Sequence, residues 1–166
     1  MNFVKIFLTF EKSLEGALKT STYIIESLPE NLQLKHNLYK EIEQISNNSI
    51  ILSSTSGFKP SDLQKHMKNP QNLLVTHPFN PVYLMPLVEV VPGQERDQNI
   101  VDDVHHLLEY IGMVPIIIKK EIDAFVADRM LEAMWREALW LIKDDICTTK
   151  ELDDIITSIF GIRFAQ

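Results

Sequence analysis

The feature that most constrains this chain is a rhythm running from Tyr23 to Ile118, in which short apolar runs alternate with longer amphipathic segments. Tyr23-Ile24-Ile25, Ile50-Ile51-Leu52, Leu73-Leu74-Val75, Leu87 to Val91 and Val114 to Ile118 read as five strands. Between the first two, Asn31 to Ile45 sets Leu34, Leu38, Ile42 and Ile45 at helical spacing, and Gln98 to Tyr110 predicts another helix, closed by Gly112. Pro60 to Gln64 opens a short helix in which Ser61 and Gln64 are spaced as a capping box. Repeated strand–helix–strand units need right-handed crossovers, so the expected class is α/β with a mainly parallel sheet.

At Asp123 the character changes. A helix is expected from Asp123 to Lys143, with Ala127, Leu131, Met134, Ala138 and Leu141 along one face. Thr148 and Glu151 then form a second capping box before a helix from Thr149 to Ile159. Two helices cannot close a core, so residues 122–166 read as the start of an all-helical C-terminal domain. A doubly wound dinucleotide fold opens with a strand, a G-x-G-x-x-G turn and a helix. The glycines are Gly16, Gly57, Gly93, Gly112 and Gly161, too far apart to form that turn. Residues 1–121 therefore read as the second half of a Rossmann-like doubly wound sheet without its glycine-rich loop.

The chain carries a net charge of -7 and no basic run longer than Lys119-Lys120, which argues against nucleic acid and against an anionic membrane surface. Cys147 is the single cysteine, so no intrachain disulfide can form and a reducing, cytoplasmic setting is expected. The apolar opening Met1 to Phe10 is too short for a secretory leader, and Val114 to Ile118 falls far below the ~20 residues of a spanning helix. His36, His66, His105 and His106 lie on polar helix faces and read as solvated. Adjacent His105 and His106 are expected to point apart on a helix, so no metal site is expected.

Chemistry concentrates after the third strand, in Thr76-His77-Pro78-Phe79-Asn80-Pro81. Ligands of open α/β sheets bind at the carboxyl ends of strands, which is where His77 falls. Glu89 lies inside the apolar run Leu87-Val88-Glu89-Val90-Val91, and a carboxylate buried there needs a partner. If the intervening loop folds back, Glu89 meets His77, fixes its tautomer and raises its basicity. The other reading is a solvated histidine and a glutamate on the outer face of an edge strand.

The string His77-Pro78-Phe79-Asn80-Pro81, with Met85 and Leu87-Val88-Glu89-Val90, resembles the signature of the 3-hydroxyacyl-CoA dehydrogenase family. Glu26-Ser27-Leu28-Pro29-Glu30-Asn31 with Lys35, and Ser53-Ser54-Thr55-Ser56-Gly57, continue the likeness in the same order. That resemblance implies an NAD-dependent oxidation of a 3-hydroxyl. His77 would be the general base, Glu89 its orienting partner, and Ser56 a hydrogen-bond donor to the reacting oxygen that also borders the nicotinamide. It also implies that Glu30, Lys35 and Asn80 line the cofactor, and that the intact enzyme is a homodimer.

One position departs from the acyl-CoA pattern. Ala124-Phe125-Val126-Ala127-Asp128-Arg129 carries Asp128 where those enzymes have asparagine, and a carboxylate is a poor neighbour for a developing oxyanion. The strings Phe79 to Leu87, Leu131 to Trp140 and Phe160 to Gln166 are similar to the branch of the family that acts on carnitine, a 3-hydroxy acid with a quaternary ammonium head. Such heads sit against aromatic faces and carboxylates, which makes Asp128, Tyr83 and Trp135 candidates, although a tryptophan on an amphipathic helix is more often core. The alternatives are a 3-hydroxybutyryl-CoA substrate and a non-catalytic truncated or split product. Without a glycine turn to cradle pyrophosphate, the isolated chain is expected to bind NAD weakly.

Overall fold

The apolar runs of β2 (Ile50–Ser53) and β3 (Leu73–Pro78) have no polar face, and the fold follows from covering both sides of them. In the computed structural model, which describes residues 8–164, they pair with β1 (Tyr23–Glu26), β4 (Leu87–Pro92) and β5 (Val114–Ile117) in one sheet of order β1-β2-β3-β4-β5. The first residues of the apolar opening and the last two of the Phe160–Gln166 string lie outside the described residues. Ile51, Leu73, Val75 and Val91 pack on one face with Tyr39, Ile42 and Leu63 from α2 (Leu32–Ile45) and α3 (Pro60–Gln64). Ile50, Leu52, Leu74, Val88 and Val90 pack on the other with Val101, Val104 and Leu108 from α4 (Gln98–Tyr110). A five-residue helix α1 (Leu14–Leu18), capped by Ser13, precedes β1; it is too short to show a period in the sequence.

The sheet is mostly parallel, as expected, with one exception. β3 and β4 run antiparallel and put His77 opposite Glu89. Only residues 79–86 join them, and a parallel return needs a crossover of a dozen or more. Within that loop the Asn80–Pro81 peptide is cis, and Pro81 O accepts from the amides of Leu84 and Met85.

Three local expectations need correction. The buried face of α2 is Lys35, Tyr39, Ile42 and Glu43, while Leu34 is exposed and Leu38 and Ile45 pack only at the margin. The helix is turned so that Lys35 and Tyr39 reach a carboxylate on β1. Ser61 and Gln64 do not form a capping box: Glu121, 60 residues away, accepts from the Ser61 amide and hydroxyl. Gln64 is buried and its Nε2 lies against the carbonyls of Pro70, Leu73 and Glu95. Finally, the helix expected from Asp123 begins at Ala127, because Ala124 and Phe125 take left-handed φ values of 59° and 48°. That turn aims the Phe125 ring into the core.

The chain divides into two compact units between Phe125 and Val126. In the second, α5 (Ala127–Lys143) is followed by α6 (Thr149–Ile155), which begins with the expected Thr148–Glu151 capping box. The helix runs on without a break through a π-helical turn, Ile156–Phe160, into a last short segment α7 (Gly161–Phe164), so it covers the stretch expected to Ile159 and extends beyond it. Met134, Ala138 and Leu141 line a groove of about 640 Å³ against α6, whereas Leu131 faces a different recess. No helix among the described residues is long and apolar enough to cross a membrane.

Gln64 packs closely on Gly93, and a Cβ at residue 93 would stand 2.0 Å from the Gln64 amide oxygen. Gly93→Ala should displace that amide from its three carbonyls and cost about 1–3 kcal/mol, read as a lower urea midpoint with an unchanged slope.

Candidate active site

The antiparallel register carries the His77 and Glu89 side chains to the same face of the sheet, where Nδ1 and Oε2 are 3.0 Å apart. Both residues are buried, at 4% and 2% exposure. Opposite an ionised carboxylate, which can only accept, a neutral imidazole carries its proton on Nδ1 and leaves Nε2 as an acceptor. Ser56 Oγ lies 3.0 Å from Nε2, and its hydroxyl donates to that nitrogen when the imidazole is neutral. The imidazole packs edge-on to Phe79, with ring centroids 4.7 Å apart, and tilted against Phe125 at 5.3 Å. Two phenyl rings hold its orientation and keep the local dielectric low, which strengthens its bonds to Ser56 and Glu89.

Ser56 belongs to the loop after β2, and Glu30 holds that loop. The Glu30 carboxylate accepts from Thr55 Oγ1 at 2.6–2.7 Å, from the Ser56 amide at 2.8 Å and from the Gly57 amide at 3.3 Å. Glu30 stands at the end of the segment after β1, which is itself fixed from below. Glu26 Oε1 accepts from the Leu28 amide at 2.5 Å, and Lys35 Nζ donates to Leu28 O at 3.0 Å.

Lys35 and Glu26 form a buried ion pair at 2.9 Å. With Glu26 Oε2 at 3.2 Å and Leu28 O, the three N–H donors of the ammonium are all matched within the protein. Its effect on any bound molecule therefore runs through the segment it holds. Tyr39 and Ser53 hydroxyls donate to Glu26 Oε2 at 2.6 and 2.7 Å. Burial pushes the Glu26 carboxyl up, but the bonds from Tyr39, Ser53, Lys35 and the Leu28 amide outweigh it and leave the group below its ordinary 4.5. Burial first, and the neighbouring carboxylate second, push the Tyr39 phenol well above its ordinary value.

Glu26 enters the sequence reading only as part of the family-like string, without a site role, and Tyr39 is not marked there. The signal was an acid directly after an apolar run, with Lys35 and Tyr39 four apart on one helix face.

Ser56, Glu30 and Asn80 are exposed near the carboxyl ends of the parallel strands, where a ligand can reach them. Tyr83, at the tip of the β3–β4 loop, is 87% exposed. In the second unit, Trp135 is 64% exposed and not core. It lines a recess of about 450 Å³ with Asp128, Leu131 and Glu132, so one indole and two carboxylates share a concave surface. Asp128 sits in the first turn of α5, where the helix dipole favours an acid.

Residues 4–122 match the family described as 3-hydroxyacyl-CoA dehydrogenase, NAD binding domain, and residues 125–166 match 3-hydroxyacyl-CoA dehydrogenase, C-terminal domain. An L-carnitine dehydrogenase of Mesorhizobium japonicum is 53% identical over 161 residues, covering 96% of this chain and 44% of the relative. One of Oceanobacillus iheyensis is 51% identical over 160 residues, covering 96% of this chain and 52% of the relative. This chain thus spans about half the length of the curated relatives it matches. Among solved structures, an NAD⁺-dependent 5-formyl-3-hydroxy-2-methylpyridine 4-carboxylic acid 5-dehydrogenase superposes with a TM-score of 0.89 at 29% identity, covering 94% of this chain and 51% of that one.

Glu26→Gln leaves the Lys35 ammonium buried without a counter-ion and should cost about 3–5 kcal/mol at neutral pH by urea denaturation. The folded Glu26 titrates below 4.5. Its stabilisation is therefore complete above that pH and is lost as the pH falls through the folded value. The gap between the native chain and Glu26→Gln should narrow in acid.

Proposed function

The chain belongs to the 3-hydroxyacyl-CoA dehydrogenase family, and from that premise we propose that it carries the proton-transfer machinery of an NAD-dependent L-carnitine dehydrogenase. The observation that carries the reading is His77, held between the Ser56 hydroxyl and the Glu89 carboxylate at 3.0 Å each. Its five strands correspond, on this reading, to the second half of a doubly wound dinucleotide fold, and residues after 122 to the start of a helical domain.

The residues fit the nicotinamide end of NAD: Ser56 and Asn80 are accessible near the strand ends, and Glu30 shapes the loop that bears Ser56. The five glycines offer no turn for the pyrophosphate. When bound, NAD supplies the acceptor for the hydride on C3.

The chain's own part is the proton. His77 Nε2 accepts it from the 3-hydroxyl, and the imidazolium so formed is stabilised through Nδ1–H by the Glu89 carboxylate. Ser56 Oγ, released from Nε2, donates to the same oxygen as it becomes a carbonyl. The quaternary ammonium head calls for aromatic faces and negative charge. Asp128 and Trp135, which share one recess, are candidates for holding it, and Tyr83 is a separate candidate on the β3–β4 loop. An acid at position 128 also disfavours a thioester oxyanion, which sets 3-hydroxybutyryl-CoA as the weaker substrate.

The test joins this chain to a strand–turn–helix segment bearing G-x-G-x-x-G and follows NADH absorbance. Carnitine should be oxidised in preference to 3-hydroxybutyryl-CoA, His77→Gln should lower the rate by about 10²–10⁴, and Asp128→Asn should shift preference towards the thioester. Faster turnover of 3-hydroxybutyryl-CoA by the unmodified fusion would sink the carnitine assignment. For the 166-residue chain alone, calorimetry should find no NAD binding tighter than millimolar.

A further inference from the structure

α4 packs Val101, Val104 and Leu108 against the sheet and turns its other face outward. Its last two turns carry His105, His106 and Glu109, and no lysine or arginine stands in the last turn. The partial negative charge at this helix end is therefore not balanced by a basic side chain of the helix itself, and a cation there is favoured. Asp102 and Asp103 add negative charge one turn back.

The sequence reading set His105 and His106 apart as a pair pointing in different directions. In the structure one donor atom from each of His105, His106 and Glu109 lies within 4.8 Å of the others. His105 Nδ1 and Glu109 Oε2 are 3.4 Å apart. Metal–ligand bonds of about 2.0–2.2 Å in a tetrahedron put two donors roughly 3.3–3.6 Å apart, so this pair already stands at the separation an ion requires. The His106 ring, with its centroid 6.0 Å from that of His105, is exposed and free of core packing, and a side-chain rotation closes the remaining gap.

We propose that His105, His106 and Glu109 form a surface site for one divalent first-row transition ion, zinc in the first instance, with water completing the coordination. Two imidazoles select such an ion over magnesium or calcium, which prefer all-oxygen donors. The other close histidine pair does not compete as well. His36 and His66 stack edge-to-face at 5.0 Å, but His36 Nε2 is taken by the Asp62 carbonyl and no third donor joins them among the described residues. The site is independent of the dehydrogenase reading, because none of its ligands belongs to the His77–Glu89 arrangement.

The experiment titrates zinc chloride into the purified chain by calorimetry, in a Cys147→Ser background that removes the only thiol. One site of micromolar affinity is expected, with a rise in Tm as zinc is added. His105→Ala and Glu109→Gln should each weaken binding by about 10-fold or more, while His66→Ala leaves it unchanged and magnesium gives no heat. All three ligands are at least partly exposed on a helix held by its opposite face, and circular dichroism checks that each variant remains folded. Zinc affinity unmoved by His105→Ala and Glu109→Gln, or abolished by His66→Ala, would overturn the assignment.

Discussion

The buried pairing of Lys35 with Glu26 is the constraint on which the rest of this arrangement depends. An ammonium and a carboxylate removed from water are tolerable only when every donor and lone pair finds a partner. Here the partners are the Leu28 carbonyl and amide, the Tyr39 and Ser53 hydroxyls, and each other. Satisfying the pair therefore fixes the course of the chain after β1. That course delivers Glu30 to the loop after β2, and Glu30 in turn sets the Ser56 hydroxyl against His77. A hydrophobic pair of the same volume could match or exceed its contribution to stability, but would leave Leu28 and everything beyond it unanchored.

Two different forces thus position the two sides of the imidazole. On the Nε2 side, polar bonds running through loops decide where Ser56 lies. On the Nδ1 side, Glu89 is placed by the strand ladder, whose register is enforced by the apolar residues flanking it: Val88 and Val90 on one face, Val91 on the other. Polar networks in a low-dielectric setting are steep in energy and directional, while burial is tolerant of small shifts. The site uses the first for aiming and the second for spacing.

How much could be read from residues alone follows the same division. Strands β1 to β5 and helix α4 were legible because apolar runs and 3.6-residue periods are written locally. His77 and Glu89 could be named as chemistry-bearing, but their meeting depended on the short β3–β4 connection forcing an antiparallel return. Lys35 was expected at the cofactor and lies buried beneath the loop, since its partner Glu26 ends a strand that looked finished at Ile25. Glu121 reaching back to cap α3 could not be foreseen from a local capping pattern, because the competing acceptor comes from 60 residues away. The left-handed turn at Ala124 and Phe125 was hidden in the same way, its cause being the pocket that Phe125 fills.

That His77 and Glu89 face each other across a strand pair has a consequence for how sequences of this kind can vary. Residues joined by a ladder keep their partner whatever happens at the turn between them, so long as the strands re-enter in step. The tip around Tyr83 and Leu84 can accept extra residues, because its exposed side chains contribute little to the register. A single residue inserted within β3 or β4 is another matter: side chains alternate along a strand, so a slip of one turns histidine or glutamate to the opposite face. The spacing of twelve is thus negotiable in the loop and rigid in the strands, and length variants should accumulate between Pro81 and Met85 long before any appear on either side.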